Sequence, residues 1–472
     1  MSGLFTTLRS SAAALNAQSQ AISIAGNNIA NVNNPNYAEE SANFNSLGMV
    51  QTASGPESLG MSVTVSSNRS AVLDGMVRQE NSLTAGFTAQ QNLFQQAQAA
   101  LGENITSTST SGTASTATDS GLGTALNSFF NAFSALAANP TDSGAKESLV
   151  EQAGVLTDRF QEVSQNLSQV QANATASVNS DVTSANSLLQ NIATLNSQIA
   201  SFEVGDPGSA VDLRDQREGD LEQLASLVPV TVTEDAQGED TVTAATAASP
   251  GSVTLVSQGT VSNTLSYSSG QLLAGTAVLS ATSGSMAGTI ASSVGGVQTL
   301  MDNLDSLAKQ IVTAVNATYN PSNTTGGNFF LSSALTAGTI AVDPHLTATS
   351  LAAGAATGAA GDNSIALAVS NLANQSFSTS GGDVINGTLG QYYANAASGI
   401  GQALDTANTQ VTDQTNVQTI VNNQRASASG VSLDQEMSNL MTFQQAYQAS
   451  AEVFQSVNSM LSDLLSTLAS VT

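Results

Sequence analysis

Residues Leu4 to Val32 read LFTTLRSSAAALNAQSQAISIAGNNIANV, and their apolar spacing decides how the rest of the chain is read. Alternate steps of four and three from Leu4 land on Leu8, Ser11, Leu15, Gln18, Ile22, Ala25, Ile29 and Val32. Seven of these nine positions are apolar, the narrow stripe of a helix that packs along another helix. The other end repeats the pattern. From Leu433 the same steps give Met437, Leu440, Gln444, Tyr447, Ala451, Phe454, Asn458, Leu461, Leu465 and Leu468, nine of eleven apolar. Neither stripe contains proline. The second helix has a marked start: Gly430 breaks what precedes, and Ser432 with Gln435 makes a capping box. Asp434 and Glu436 suit the positive end of the helix dipole.

Each stripe needs a partner. The two could be ordinary amphipathic helices lying on their own domains, or the two ends could meet, within one chain or between neighbours. Isolated helices of this kind are marginal and chain ends fray unless docked. Two similar terminal stripes therefore point to segments that order on assembly.

Composition narrows the function. The chain has 472 residues, 9% of them charged and 4% aromatic, with no Cys, no Trp and a net charge of −26. Its nine cations, Arg9, Arg69, Arg78, Lys146, Arg159, Arg214, Arg217, Lys309 and Arg425, are scattered along the sequence. Phosphate binding needs clustered basic residues, so nucleic acid and anionic membranes are poor partners. Without cysteine there is no thiol nucleophile and no thiolate metal site. The one histidine, His345, follows Asp343-Pro344 in a turn-like context that suits a loop residue better than a general base. No catalytic, cofactor-binding or metal residue is expected. Polar residues interrupt every apolar run near the start, so an export route that leaves the N-terminus uncleaved is expected, and no run is long enough to span a membrane.

The interior reads as helix and loop with one change of period. A loop-rich stretch follows Glu40, then a short strand, Met61–Ser67, and a helix at about 70–101. Thr106–Gly121 is low-complexity, a linker or a glycosylated or binding loop. From Thr141 to Asp206 there is no proline, which predicts one very long helix or two in series, ended by Pro207-Gly208. Val211–Val228 is the next helix. The period then drops to two: Val228–Thr246 reads as a hairpin, with further strands near Ser252–Val256 and Asn263–Tyr267. Helix returns at Val297–Tyr319, Gly326–Pro344 reads as loop then strand, Gly361–Gln375 opens a helix, and a last long one spans about 392–426.

The expected fold is mainly α with a β insertion: a long antiparallel helical bundle, terminal coiled-coil helices and one small inserted β domain. Its parts would be 1–40 with 430–472 (terminal assembly domain), 41–228 with 298–429 (helical body) and 229–297 (β domain). Two acidic clusters need weighing. Glu234, Asp235, Glu239 and Asp240 lack the pattern of a calcium loop and read as a solvated turn. Asp215 and Glu218 share a helical face, but Arg214 and Arg217 interleave with them, which favours a salt-bridged contact over a paired-carboxylate site.

Several stretches resemble a known family. LNAQSQAISIAGNNIANVNNPNY is similar to the asparagine-rich N-terminal signature of the bacterial flagellar rod–hook family. SGVSLDQEMSNLMTFQQAYQASAEVFQSVNSMLSDLLSTL resembles the C-terminal signature of its hook-associated, hook–filament junction members. DLRDQREGDLEQLASLV, LDSLAKQIVTAVNATYN with GGNFF, and GDNSIALAVSNL resemble the interior of those members in the same order. Asn36 stands where the family has glycine, an exchange that asparagine's tolerance of left-handed backbone would allow. Glu39 and Glu40 replace its usual basic or glutamine residues.

The resemblance implies a non-enzymatic, self-assembling component of the extracellular flagellum at the hook–filament junction. It would be exported through the flagellar type III channel. Its partners would be further copies of itself, the hook protein, a second hook–filament junction protein and an export chaperone at the C-terminal helices. Other axial proteins, hook or rod, and a surface enzyme on an axial scaffold are the alternatives. The assembly residues would be Leu4, Leu8, Leu15, Ile22, Asn28, Ile29, Asn31, Pro35 and Tyr37 at one end. At the other they would be Leu433, Met437, Leu440, Tyr447, Phe454, Leu461, Leu465 and Leu468.

Overall fold

The computed structural model describes residues 2–52, 55–102, 121–248, 251–324, 326–355, 359 and 361–469. The expected linker lies outside them except for Gly121. The chain opens on helix α1 (Ser2–Asn31), followed by strands β1 (Glu40–Ser46), β2 (Met49–Thr52), β3 (Gly55–Ser58) and β4 (Met61–Ser67). β1 pairs antiparallel with β4, Glu40 opposite Ser67 and Ser46 opposite Met61, and β2 pairs with β3. Leu47 and Leu59 N–H groups bond across to Gly60 and Gly48, so the segment is one long two-stranded ribbon.

The loop expected after Glu40 is therefore strand. ESANFNS has only Ala42 and Phe44 as an apolar alternation, and a polar ladder on the other face helps hold it: Asn43 donates to Ser66 (2.7 Å) and Asn45 to Thr64 (3.1 Å). The ribbon lies along α1. It approaches so closely that a Cβ on Gly60, at φ +102°, would sit 2.8 Å from the Ala13 methyl. Residues 40–67 thus pack with the terminal helix rather than with the helical body to which the boundary at 41 assigns them.

The body begins with α2 (Ala71–Ala100), capped by the Ser70 hydroxyl, and α3 (Leu122–Ala138). Helix α4 (Ser143–Phe202) runs 60 unbroken residues, about 90 Å at 1.5 Å per residue. Asp142 caps its first turn, and α5 (Val211–Leu227) follows. The insertion contains β5 (Thr231–Glu234), β6 (Asp240–Ala245), β7 (Ser252–Ser257) and β8 (Thr260–Val261) in one antiparallel sheet, ordered as in sequence. β9 (Leu265–Ser268), β10 (Gln271–Ala274) and β11 (Ala277–Val278) form a second, three-stranded sheet.

Helix α6 (Ser285–Ala291) passes through a π-helical turn at 292–297 into α7 (Gln298–Tyr319). Gly326–Pro344 contains no strand, only an isolated bridge between Phe330 and Val342. Asn316 fixes this loop: its amide donates to the Phe330 carbonyl and its oxygen accepts from the Phe329 and Phe330 N–H groups. Helices α8 (Ser364–Asn371), α9 (Leu389–Ser429) and α10 (Leu433–Ala469) complete the chain. Thr388 and Gln391 form a capping box at the start of α9.

Two hydrophobic cores share α4. Its first half packs with α3, α7, α8 and α9 around Phe129, Phe133, Phe160, Phe329 and Phe330. Ring centroids of Phe129, Phe130, Phe133, Phe329, Phe330 and Tyr319 lie 5.0–5.6 Å apart, mostly edge to face. The second half of α4, from Val178, packs with α5, α6 and the β insertion. α9 runs antiparallel to α2: Gln91 meets Asn408, while Asn81 and Glu80 meet Gln418 and Gln414. Among the described residues no helix is long and apolar enough to cross a membrane.

Candidate functional site: the terminal helix pair and its joint

α1 and α10 pack along one another, and Asn28 near the end of α1 touches Glu436 in the first turn of α10, so they run antiparallel. The line of burial differs from the one read in the sequence. On α1 the fully buried residues are Ser11, Ala17, Ala21, Ile24, Ala25 and Asn28; Leu4, Leu8, Leu15, Ile22 and Ile29 are half-buried. On α10 the covered positions are Glu436, Val457 and Leu461, with Leu440, Phe443, Ala446, Ser450 and Phe454 half-buried. The contact is thus rotated by about one residue, because small side chains let the helices and ribbon approach. Leu433, Met437, Met441, Tyr447 and Leu465 stay exposed, at 47%, 49%, 56%, 39% and 62%. The Leu468 side chain lies outside the described residues.

The stretch that leaves α1 forms a polar joint. The Asn31 side chain donates back into its own helix, to the Asn27 carbonyl (3.1 Å), and Pro35 is exposed in the turn. Asn36 does not use the left-handed backbone expected of it; among the described residues, the non-glycine residues there are Gln258, Ser269 and Asn323. Its carbonyl instead accepts from Arg69 Nη2 (2.6 Å). Tyr37 donates to Asn28 (2.8 Å), and the Ala38 N–H donates to Asp215 (3.2 Å). The Glu39 N–H reaches the carbonyl of Ser429, the last residue of α9, and Glu39 Oε2 accepts from Asn68 (2.9 Å).

Five of the nine cations gather around α5. Arg69 holds Asp215 through Nε and Nη2 (3.2 and 2.9 Å) and Asp74 through Nη1 (3.2 Å). Arg78 donates to both Glu218 oxygens, 2.6 Å each, and Arg425 of α9 reaches Glu222 and, at 3.8 Å, Asp74. On its adjacent face, Arg214 pairs with Glu203 (2.7 Å) and Glu234 (2.8 Å), while Arg217 pairs with Asp240 (2.8 Å). α5 therefore clasps α2, α9, the end of α4 and the β5–β6 turn. The salt-bridged reading of Asp215 and Glu218 is the one realised, and the acidic turn is held by arginine and by Asp235, which accepts two backbone N–H groups.

The carboxylates of Asp74, Glu218 and Glu222 come within 4.8 Å of one another, as metal ligands would. Each is already held by a guanidinium, so their charge is met by Arg69, Arg78 and Arg425. The His345 side chain, 78% exposed, meets Asp343 (2.9 Å), two residues before it in the same turn.

Buried charge sets the electrostatics. Burial works against the charge of Arg69, but Asp74 and Asp215 beside it outweigh that and raise its pKa. Burial against Arg214 is likewise overcome at Glu203, whose pKa falls to about 2 through its hydrogen bonds with Arg214 and two N–H groups. Glu40 is buried with no cation paired to it among the described residues. Desolvation, then the charges of Asp212 and Asp215, push its pKa up to about 7. The folded chain therefore keeps a proton that the unfolded chain has released, and stability falls as pH rises from about 4.5 to 7. Glu40→Gln is expected to match the parent at pH 4 and exceed it by up to about 3 kcal/mol at pH 8. Urea unfolding at the two pH values checks this; an equal difference at both would contradict it.

Comparison with known proteins gives three family matches in chain order. Residues 8–37 match the flagella basal body rod protein family, 111–330 the flagellar hook-associated protein FlgK helical domain, and 423–467 the flagellar basal body rod FlgEFG protein C-terminal family. Flagellar hook-associated protein 1 of Bacillus subtilis is 27% identical over 96% of both chains. The Escherichia coli protein of that name is 44% identical over 16% of this chain and 13% of its own. The solved structure of the flagellar hook junction protein FlgK from Burkholderia pseudomallei superposes with a TM-score of 0.46 at 21% identity. It covers 54% of this chain and 46% of that one.

Proposed function

The chain belongs to the flagellar hook-associated protein 1 family, structural components of the hook–filament junction in the extracellular flagellum, and from that premise we propose how it assembles. The rod-type ends are shared across axial proteins, whereas the interior match at 111–330 is to the hook-associated helical domain, which favours the junction over rod or hook. The α1–α10 pair with its ribbon is the assembly unit, the two-core helical body is the outer part, and the β insertion is a surface module. Copies of the chain pack through α10 into a ring that joins hook protein on one side and a second junction protein on the other. An export chaperone covers the same helix beforehand, and export leaves the N-terminus uncleaved.

One observation supports this reading best. α10 carries a wider apolar face than α1 covers, and Leu433, Met437, Met441, Tyr447 and Leu465 remain open to solvent. A large exposed apolar stripe on a helix is the mark of an interaction surface. The N-terminal seam residues Leu4, Leu8, Leu15, Ile22 and Ile29, only half-buried, would complete their burial in the same ring, alongside Leu440 and Phe454 of α10; Leu461 is covered already, and Leu468 would join them.

The test is Leu433→Glu with Met437→Glu. Both positions are exposed, so the purified variant should keep the parent's helical circular dichroism and its unfolding free energy to within about 0.5 kcal/mol. Electron microscopy of cells carrying it should show bare hooks. Normal filaments on those hooks would remove the proposal, as would normal filaments from a chain lacking 433–472.

A further inference from the structure

The line of α1 buried beneath α10 and the ribbon consists mainly of small residues, which specify register poorly. Ala17, Ala21 and Ala25 recur every four residues on the buried face, so sliding α1 by one turn replaces alanine with alanine. What distinguishes one register from the next is polar. Asn28 is 0% exposed and Glu436 2% exposed, and their side chains meet at 3.0 Å.

The Asn28 carboxamide uses its full capacity of two donors and two acceptors. Nδ2 donates to the Glu40 carbonyl (2.8 Å) and to Glu436 Oε2 (3.0 Å). Oδ1 accepts from the Tyr37 hydroxyl (2.8 Å) and the Glu40 N–H (3.0 Å). The Glu40 backbone fixes the orientation, since its carbonyl can only accept and its N–H can only donate. Aspartate here would set carboxylate oxygen against the Glu40 carbonyl and the Glu436 carboxylate. Glu436 has no paired cation among the described residues; its other oxygen accepts from Asn439 (3.1 Å), and it lies in the first turn of α10, where the helix dipole favours it. Any slip of α10 past α1 would bury this carboxylate and the Asn28 amide without each other, a cost that slipped apolar positions would not incur.

We propose that the Asn28–Glu436 pair is the register determinant of the terminal helices. It lets the N-terminal helix accept the C-terminal helix in one alignment and penalises helices that lack a carboxylate one turn from their start. The consequence for assembly rests on the reading above: one alignment presents one ordered stripe from Leu433 to Leu465 to the next copy. A single buried polar contact that sets alignment in an otherwise apolar helix pair has precedent in coiled coils.

The chain has no cysteine, so Gln20→Cys with Ser459→Cys, both at exposed positions, gives two sites for spin labels. Gln20 lies eight residues before Asn28 and Ser459 twenty-three after Glu436, so the labels are offset by about 22 Å along the pair and a slide changes their separation directly. Double electron–electron resonance on the purified protein should give one narrow distance. Glu436→Leu, alone or with Asn28→Leu, should keep its helical circular dichroism but add a population displaced by a turn, about 6 Å. Glu436→Gln keeps an acceptor and should retain the single distance. An unchanged single distance in both leucine variants would overturn the proposal, as would a broad distribution in the parent. Hook joining is scored separately in cells. A parent-labelled chain with one distance that joins no hooks would remove the assembly reading and leave the register determinant standing.

Discussion

Arg69→Ala is expected to destabilise the chain by about 3–5 kcal/mol, because it strands one buried and one part-buried carboxylate rather than breaking a surface pair. Asp74 is 2% exposed and would keep only Arg425, at 3.8 Å; Asp215 would keep only the Ala38 N–H. The Asn36 carbonyl would also lose its 2.6 Å donor, so the turn leaving α1 would lose its tie to α2. Urea unfolding measures the loss. Arg69→Lys should recover only part of it, since an ammonium cannot reproduce the guanidinium's contacts to both acids and the carbonyl. Adding Asp215→Asn to the alanine variant should restore part of the stability by removing one of the two stranded charges. A cost below about 1 kcal/mol would mean that the joint is a solvated surface feature.

Gly288→Val should be the most damaging single substitution in the second core. α6 crosses α2 with no room for a side chain: a Cβ at 288 would lie 2.1 Å from the Gly86 carbonyl oxygen and 3.0 Å from its Cα. Both obstacles are backbone, so the helices must separate and Met286 must leave its buried site. A cost of about 3 kcal/mol or more is expected. Gly86→Ala is the internal control. Its Cβ would come only to 3.3 Å of Gly284, a contact that a small shift relieves, and about 1 kcal/mol is expected. Thermal unfolding of the two variants side by side checks the order; equal midpoints would contradict the close crossing.

The long elements were legible because their signals are periodic and uninterrupted. α2, α4, α5, α7, α9, α10 and the β insertion all follow from apolar spacing and from Gly and Pro boundaries. Three features were not legible, each for a physical reason. The polar strand Glu40–Ser46 is held by backbone pairing and an Asn/Ser/Thr ladder, and Ala42 with Phe44 is too short an alternation to announce it. α3 carries a helical stripe, Leu122, Leu126, Phe129, Phe133 and Leu136, but it follows directly on low-complexity sequence that obscures its start. The terminal seam was read one residue away from the buried line because alanine carries burial while leucine carries hydropathy.

The site itself was legible only in pieces. Asn28 and Tyr37 were singled out, and they meet. Arg69, Arg78, Arg214, Arg217 and Arg425 were read as scattered, whereas all five converge on α5. The one sequence signal was DLRDQRE, where so sparsely charged a chain concentrates both signs.

The account's central claim is that the open face of α10 is covered when copies assemble. Met437→Cys places the only thiol of the chain on that face, 49% exposed in the single molecule. Labelling with a water-soluble maleimide should be rapid on the purified chain and at least tenfold slower on isolated hooks carrying the assembled protein. Equal labelling rates in the two states would contradict the claim.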